Sequence, residues 1–256
     1  MLMRKLALSV VLAASVLAQK PAPPAFEVAS VKVNRQQPLV NSDLRVSGET
    51  LTMRNRNLRV IAAWAYNLQW SQIDGPSWID SDRFDIVAKA AKPLSGDEVR
   101  PMLQTLLAER FHFASHRETR QADVLALTVP KGGHKMTPSK NAEGPAGSRQ
   151  GPARGTVIEG VTLAELCENL SHDAHSIPLV DMTGLTGRFD FTFNIQKYQE
   201  SLRAQAMSQP RPSEADLRLS LMQDLISGEL GLKVDQRRAQ VEFLVIDRAD
   251  QKPSEN

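Results

Sequence analysis

The stretch Arg83–Ile86 (Arg-Phe-Asp-Ile) recurs 105 residues later as Arg188–Phe191 (Arg-Phe-Asp-Phe). At the same offset, Asn57 stands before one apolar helical pattern and Thr162 before another. Self-similarity at a fixed spacing predicts an architecture built from copies of one unit. In both copies apolar residues alternate with Arg and Asp, which predicts a strand with one buried face.

A second correspondence extends the repeat towards the C-terminus. Leu106–Leu127 aligns with Leu225–Ile246 at an offset of 119 residues, and a polar insert at Gln196–Arg211 accounts for the change in offset. The sequence therefore predicts an α+β fold of two tandem similar units, each roughly β-α-β-β-α-β-β, with mostly antiparallel sheets. The predicted organisation is a signal peptide at 1–18, a first unit at 19–130, a linker at 131–154, a second unit at 155–250 and a tail at 251–256.

Polar residues mark the predicted helix starts. Asn57 and Thr162 are predicted N-caps, because their side chains can accept free backbone N–H groups. Ser95 and Glu98 have the spacing of a capping box.

Each unit is predicted to close with a hairpin. In the first unit, strands at Phe111–His116 and Val124–Val129 flank a polar connection at Glu118–Asp123. In the second unit, the paired strands are Leu232–Asp235 and Val241–Asp247.

The N-terminus has the pattern of an export signal. Arg4 and Lys5 precede an apolar stretch at Leu6–Leu17, and small residues predict cleavage after Ala18. We therefore expect a secreted or periplasmic protein with no transmembrane segment in the mature chain.

Cleavage lowers Lys+Arg from 31 to 29, against 29 Asp+Glu, so the mature chain is formally neutral. Neutrality argues against nucleic acid as a partner, and the single cysteine, Cys167, excludes an internal disulfide.

Six segments of the mature chain resemble a large paralogous family of exported proteins from soil bacteria, chiefly acidobacteria. They are Phe26–Lys32, Ser81–Ala88, Leu106–Phe111, His116–Arg120, Asp181–Phe191 and Lys252–Asn256. The family is known for a domain of unknown function. The resemblance therefore implies export, but no reaction, cofactor or catalytic residue.

Four aromatic residues of the first unit are candidate binding residues. Trp64, Tyr66, Trp70 and Trp78 occur together although aromatic residues make up only 5% of the chain. They predict either a local core cluster or an aromatic-lined groove for a sugar or peptide.

The charged residues of the repeat are the second candidate set. Arg83 and Asp85, and likewise Arg188 and Asp190, should emerge together on the outer face of a sheet. They predict either a structural ion-pair network or a ligand-binding pair.

Other polar groups give weaker indications. His172, Asp173 and His175 have a spacing that a metal could use, but residues at a helix end are often polar, so we predict no metal site. Cys167 lies on an apolar stripe and is expected to be a small core residue.

These observations favour a non-enzymatic binding or protein-interaction module of the cell envelope, with an envelope protein or a glycan as partner and no cofactor. One alternative is an extracytoplasmic hydrolase that uses Asp80, Asp82 or Asp85 with His116 or His175. Another is a sensory or regulatory ectodomain, because Val161–Leu163 leading into a helix resembles the small periplasmic domains of secretins and TonB-dependent receptors.

Overall fold

The computed structural model describes residues 22–35, 43–140, 146–151, 155–174, 177–194, 200, 203–204, 207 and 213–254. The predicted signal peptide with its cleavage position, His175, and most of the insert at Gln196–Arg211 lie outside these residues.

Both helices and mostly antiparallel sheets are present, so the predicted α+β class is confirmed. The strands are β1 (Val28–Asn34), β2 (Asp43–Ser47), β3 (Thr50–Asn57), β4 (Ile73–Asp74), β5 (Arg83–Lys89), β6 (Ala114–Thr128), β7 (Thr137–Pro138), β8 (Gly147–Gln150), β9 (Thr156–Val161), β10 (Leu179–Asp181), β11 (Phe189–Phe193) and β12 (Lys233–Arg248). The helices are α1 (Leu58–Tyr66), α2 (Trp78–Ser81), α3 (Gly96–Phe111), α4 (Leu163–Ala174) and α5 (Glu214–Leu225), with a 3₁₀ turn at Trp70–Gln72 and a π-helical turn at Ile226–Leu230.

Two of the sheets have matching strand orders. The first sheet is β1-β5-β3-β2 and the third is β7-β11-β9-β8, and every pairing in both is antiparallel. The repeated Arg-Phe-Asp segments contribute to equivalent inner strands, β5 and β11. This correspondence agrees with the sequence repeat, while the tandem duplication itself stays a prediction.

The helix caps form as predicted. The Asn57 side chain accepts a hydrogen bond from the Val60 N–H at 3.0 Å, and the Thr162 hydroxyl accepts one from the Glu165 N–H at 3.1 Å. The Glu165 carboxylate in turn accepts the Thr162 N–H at 2.8 Å, which completes a capping box. At the start of α3, the Ser95 N–H and hydroxyl both donate to Glu98.

The predicted hairpins at the end of each unit are wrong. Glu118–Asp123 does not turn: β6 runs straight through it, and β12 likewise runs as one strand from Lys233 to Arg248. The two strands pair antiparallel along their length, with Glu118 opposite Phe243 and Asp123 opposite Arg238. The polar stretch contains no glycine or proline to favour a turn, and its side chains are polar because most of the middle of the strand is exposed.

The long strands carry each half of the sequence into the other half's core. Leu244 and Ile246 of β12 pack in the core formed by α1, α3 and the first sheet. Leu125 and Leu127 of β6 pack in the core formed by α4, the π-helical turn and the third sheet. The middle sheet, β10-β6-β12-β4, therefore joins the two cores.

The segments beyond the long strands cap helices of the opposite unit. Asp250 donates its N–H to the Phe111 carbonyl at 2.7 Å, and Ser254 donates its N–H to the Arg110 carbonyl at 2.7 Å. Lys135 donates its N–H to the Leu230 carbonyl at 2.8 Å. These donors satisfy carbonyls that a helix end leaves without intrahelical partners.

The capping box of α3 is expected to contribute to the pH dependence of stability. The hydrogen bond from Lys92, followed by those from Ser95, lowers the pKa of Glu98 from 4.5 to about 2. A carboxyl whose pKa is depressed in the folded state stabilises the fold above its unfolded pKa, and this contribution disappears as the pH falls from about 4.5 to about 2.

We expect Glu98→Gln to flatten the decline of unfolding free energy over this acidic range, because the side chain no longer titrates. Urea unfolding at a series of acidic pH values measures the slope. Glu109→Gln, which makes the same charge change at an exposed position of α3, is the control. An unchanged slope in Glu98→Gln would contradict the assignment.

Candidate functional site

The repeated Arg and Asp side chains hold a backbone bulge in each sheet. The register between β3 and β5 shifts between Met53 and Arg56, and Asn55 within this shift has a positive φ of 52°. Asp85 accepts the Asn55 N–H at 2.8 Å, while Arg83 donates to the Asn55 carbonyl at 3.1 Å. The motif thus satisfies both polar backbone groups of a residue whose exposure is only 4%.

The second unit repeats this arrangement 105 residues later. Gly160 also lies at a register shift and has a φ of 65°. Asp190 accepts the Gly160 N–H at 2.8 Å, and Arg188 donates to the Gly160 carbonyl. Glycine and asparagine adopt the left-handed backbone conformation of a bulge more readily than other residues do. This explains why these two residue types occupy equivalent positions.

These contacts account for the Arg-Phe-Asp repeat without a ligand. Asp85 also accepts the Asn34 side-chain amide at 2.9 Å, and Arg188 pairs with Glu165 at 3.2 Å. Asp190 in addition lines a cleft of about 430 Å³ together with Thr137 and Glu159. A ligand-binding role for the four charged residues stays a prediction, and their structural role is the one that the geometry supports.

The four aromatic residues are distributed around the first core. All are half-buried and pack against it. Trp64 carries the guanidinium of Arg100 over its ring at 5.3 Å, and the Tyr66 ring lies 5.9 Å from that of Phe113. Trp70 donates its indole N–H to the Ser171 carbonyl at 2.7 Å, so it contacts the second unit. These contacts correspond to the core-cluster interpretation, and a groove lined by these rings stays a prediction.

A cleft between the two units lies next to these aromatic residues. Its volume is about 360 Å³, within the usual range of small-ligand pockets. One wall comes from the first unit and the other from α4 of the second unit. The lining residues are Asn67, Leu68, Gln69, Gln72, Arg100, Ala164, Glu165 and Glu168.

Side-chain amides fix the first wall against the second unit. The Gln69 amide accepts the Leu179 N–H at 2.8 Å and donates to the Leu179 carbonyl, as a strand would. Gln72 donates to the Glu242 carbonyl at 2.8 Å, and its oxygen accepts the Gln69 N–H at 2.9 Å. These hydrogen bonds hold the first wall of the cleft against β10 and β12.

Charges of opposite sign face each other across the cleft. Arg100 and Glu168 form an ion pair with a separation of 3.6 Å between Nη2 and Oε1, and their side chains are 24% and 25% exposed. Arg100 also donates to the Trp64 carbonyl at 2.9 Å. The cleft can therefore bind polar or charged groups, and its arginine is already held in place.

The carboxylates of the hydrolase alternative contact separate partners. Asp80 pairs with Arg59, Asp82 accepts from Gln251, and Asp85 holds the bulge at Asn55. His116 pairs with Asp247 at 2.8 Å. Within the described residues, no hydrogen bond or ion pair joins His116 to these carboxylates. The hydrolase and sensory alternatives stay predictions.

The weaker candidates are resolved in part. The side chains of His172 and Asp173, like His175, are outside the described residues, among which no group of three or more His, Cys, Asp or Glu could hold a metal. Cys167 is buried, as expected, and burial raises the pKa of its thiol to about 12, with a further contribution from Asp181. A thiol that stays protonated is a poor nucleophile.

Sequence reasoning did not identify the cleft residues Gln69, Arg100 and Glu168. Each is an ordinary polar residue on or beside a helix, and neither the repeat nor any motif marks it. They become a site only because α3 and α4, which lie far apart in the chain, contribute residues to the same cleft.

The fold and the cleft define an α+β protein with two cores that the paired strands β6 and β12 join. A family model matches residues 59–249, and the chain belongs to that family, DUF3738, whose description is a protein of unknown function. No curated protein and no solved structure matches the chain. Over the part that the structure describes, no helix is long and apolar enough to cross a membrane.

Proposed function

We propose that this protein is a non-enzymatic binding module whose site is the cleft between the two units. The observation that carries the proposal is the half-buried ion pair of Arg100 and Glu168, in a cleft whose first wall is bonded to β10 through Gln69 and to β12 through Gln72. Ligand sites occur preferentially where two domains meet. Partners of the envelope, a protein segment or a glycan, fit its polar character.

Obstructing the cleft tests this proposal. Ala164 is exposed on α4 and lines the cleft, so Ala164→Trp should fill the space with little effect on the fold. Asn169→Trp, at another exposed position of α4 outside the cleft lining, is the matched control. We expect binding of envelope peptides and glycans, measured by NMR chemical-shift changes, to be lost in Ala164→Trp and retained in Asn169→Trp. The proposal would be refuted if the ligand-induced shift changes persisted in Ala164→Trp, or if no ligand were found for the folded protein.

The proposal includes two further points. The protein is exported to the cell envelope or the medium, and it is a member of the acidobacterial paralogous family. Its support is the basic and apolar pattern of residues 1–18 and the neutral charge of the chain that follows. The N-terminus of the protein recovered from the native host should be Gln19. Recovery of the intact N-terminus from the cytosol would refute export.

A further inference from the structure

We infer that β1 pairs antiparallel with β1 of a second copy of this chain, through the edge that faces away from β5, so that two first sheets join across a twofold axis. None of the residues of β1 lines the cleft, so this contact is separate from the proposed ligand site. Three features of the strand support the pairing: its length, the direction of its backbone groups and the charges at its two ends.

β1 is the longest strand at a sheet edge in the described part of the chain. It has seven residues, and β5 is the strand that it pairs with. The other edge strands, β2, β4, β7, β8 and β10, are two to five residues long. Proteins usually shorten or cover sheet edges, because unpaired N–H and C=O groups are open to another strand. β1 is not short, and no described strand pairs with its outer edge.

The hydrogen bonds of β5 show which backbone groups of β1 point to the outer edge. The Lys89 carbonyl accepts the Glu27 N–H at 2.8 Å, so Lys89 faces β1. The next residue, Ala90, donates to the Glu49 carbonyl and faces β3, as alternation along a strand requires. Val28 lies opposite Lys89, so every second residue from Val28 onwards bonds to β5. The residues between them point to the outer edge: Ala29, Val31 and Val33.

One register brings the outward groups of two copies opposite each other. When Val31 pairs with the second copy's Val31, Ala29 lies opposite Val33 on both sides of the axis. Each such pair exchanges both of its N–H···O=C bonds, so the contact gains about six hydrogen bonds. A shift by one residue would instead place outward groups opposite groups that already bond to β5.

The side chains on the core face of β1 fit the same register. Val33 is 44% exposed, although it lies opposite Phe84, which is fully buried. Val31 is half-buried against the first core. The pairing would cover Val33 with Ala29 and Val31 with its own copy. The apolar row on the core face then continues from one sheet into the next.

The charges at the ends of β1 complement each other in this register. Glu27 stands just before the strand and Arg35 just after it, and both are exposed. Antiparallel pairing places each Glu27 beside the second copy's Arg35. Lys32 lies opposite Ser30, so like charges do not stand directly opposite each other. Complementarity of this kind fixes the orientation of a contact more than it adds affinity.

Analytical ultracentrifugation of the full mature chain tests the inference. A single strand pair buries less surface than a standard stable interface. We therefore expect a monomer–dimer equilibrium with a dissociation constant of roughly 1–100 µM. A chain that is still monomeric at roughly 1 mM, or that forms species larger than a dimer, would overturn the inference.

Val33→Lys places a charge opposite Ala29 within the paired strands. We expect it to weaken the dimer roughly tenfold or more, because the burial of Val33 is lost in both copies. Val87→Lys is the matched control, since Val87 is 48% exposed on β5, which is not an edge strand. Thermal unfolding checks that both variants are folded. A dimer that Val33→Lys leaves intact uses another surface and would overturn the pairing.

Charge reversal at the strand ends tests the register. Glu27→Arg and Arg35→Glu should each weaken the dimer roughly threefold or more, because like charges then lie side by side twice. The double variant Glu27→Arg/Arg35→Glu should restore the original dissociation constant, since the pairs form again with exchanged signs. Both positions are exposed, so these variants decide the matter even if Val33→Lys fails to fold. Single variants without effect, or a double variant as weak as the single ones, would refute the pairing through β1.

Discussion

Cutting the chain between its two halves is expected to leave neither half able to fold alone. Residues 22–140 retain α1 and α3 but lose Leu244 and Ile246 from their core, where Leu244 is 1% exposed. Residues 146–254 lose Leu125 and Leu127, and Leu127 is fully buried. Burial of two such side chains contributes about 3–6 kcal/mol to each core. That is a large part of the roughly 5–15 kcal/mol by which domains are stable, before the ladder between β6 and β12 is counted.

Circular dichroism, thermal unfolding and size-exclusion chromatography of the separate and mixed pieces measure this effect. We expect each piece alone to lack a cooperative transition and an equimolar mixture to regain one as a 1:1 complex. A full chain cleaved within residues 141–145 after folding is the control, and it should stay assembled. Cooperative unfolding of either piece as a monomer would contradict the exchange of strands.

Asp85→Ala is expected to destabilise the protein by about 2–4 kcal/mol, because it leaves the buried Asn55 N–H without its charged acceptor and also removes the contact to Asn34. For a chain of this size the melting temperature should fall by roughly 4–16 °C. Asp190→Ala should have a smaller effect, because the described contacts of its carboxylate include only the Gly160 N–H.

Thermal and urea unfolding measure both variants. Asp123→Ala is the matched control, because its side chain is 79% exposed and its ion pair with Arg238 is long, at 3.8 Å. Asp85→Asn, which keeps an oxygen acceptor, should recover part of the loss. If Asp85→Ala were as stable as Asp123→Ala, the bulge would not depend on the motif, and the ligand-binding interpretation of Arg83 and Asp85 would gain weight.

Local signals allowed much of the secondary structure to be predicted. The caps at Asn57, Ser95 and Thr162 formed as expected, because a cap depends on residues within one helical turn. The strand around Arg83–Ile86 also formed, because alternation of apolar and polar residues defines a half-buried strand without reference to the rest of the chain.

The hairpin prediction failed for a reason that no local pattern contains. A polar run between apolar runs is typical of a turn, but it is equally typical of a strand whose middle faces solvent between two cores. Glu118–Asp123 is the second case, and the partner that keeps it extended lies more than 100 residues away in β12.

By itself the sequence determined the α+β class, the helix starts and the strands that carry the Arg-Phe-Asp repeat, because each depends on periodicity or on neighbours along the chain. Only the tertiary structure decided which strands pair and which strand of one half packs in the core of the other half. It also decided that Arg100 and Glu168 form an ion pair across a cleft. Those features depend on contacts between residues far apart in the chain. Their free energy comes from burial and from charge pairing in space, which local patterns along the chain do not reveal.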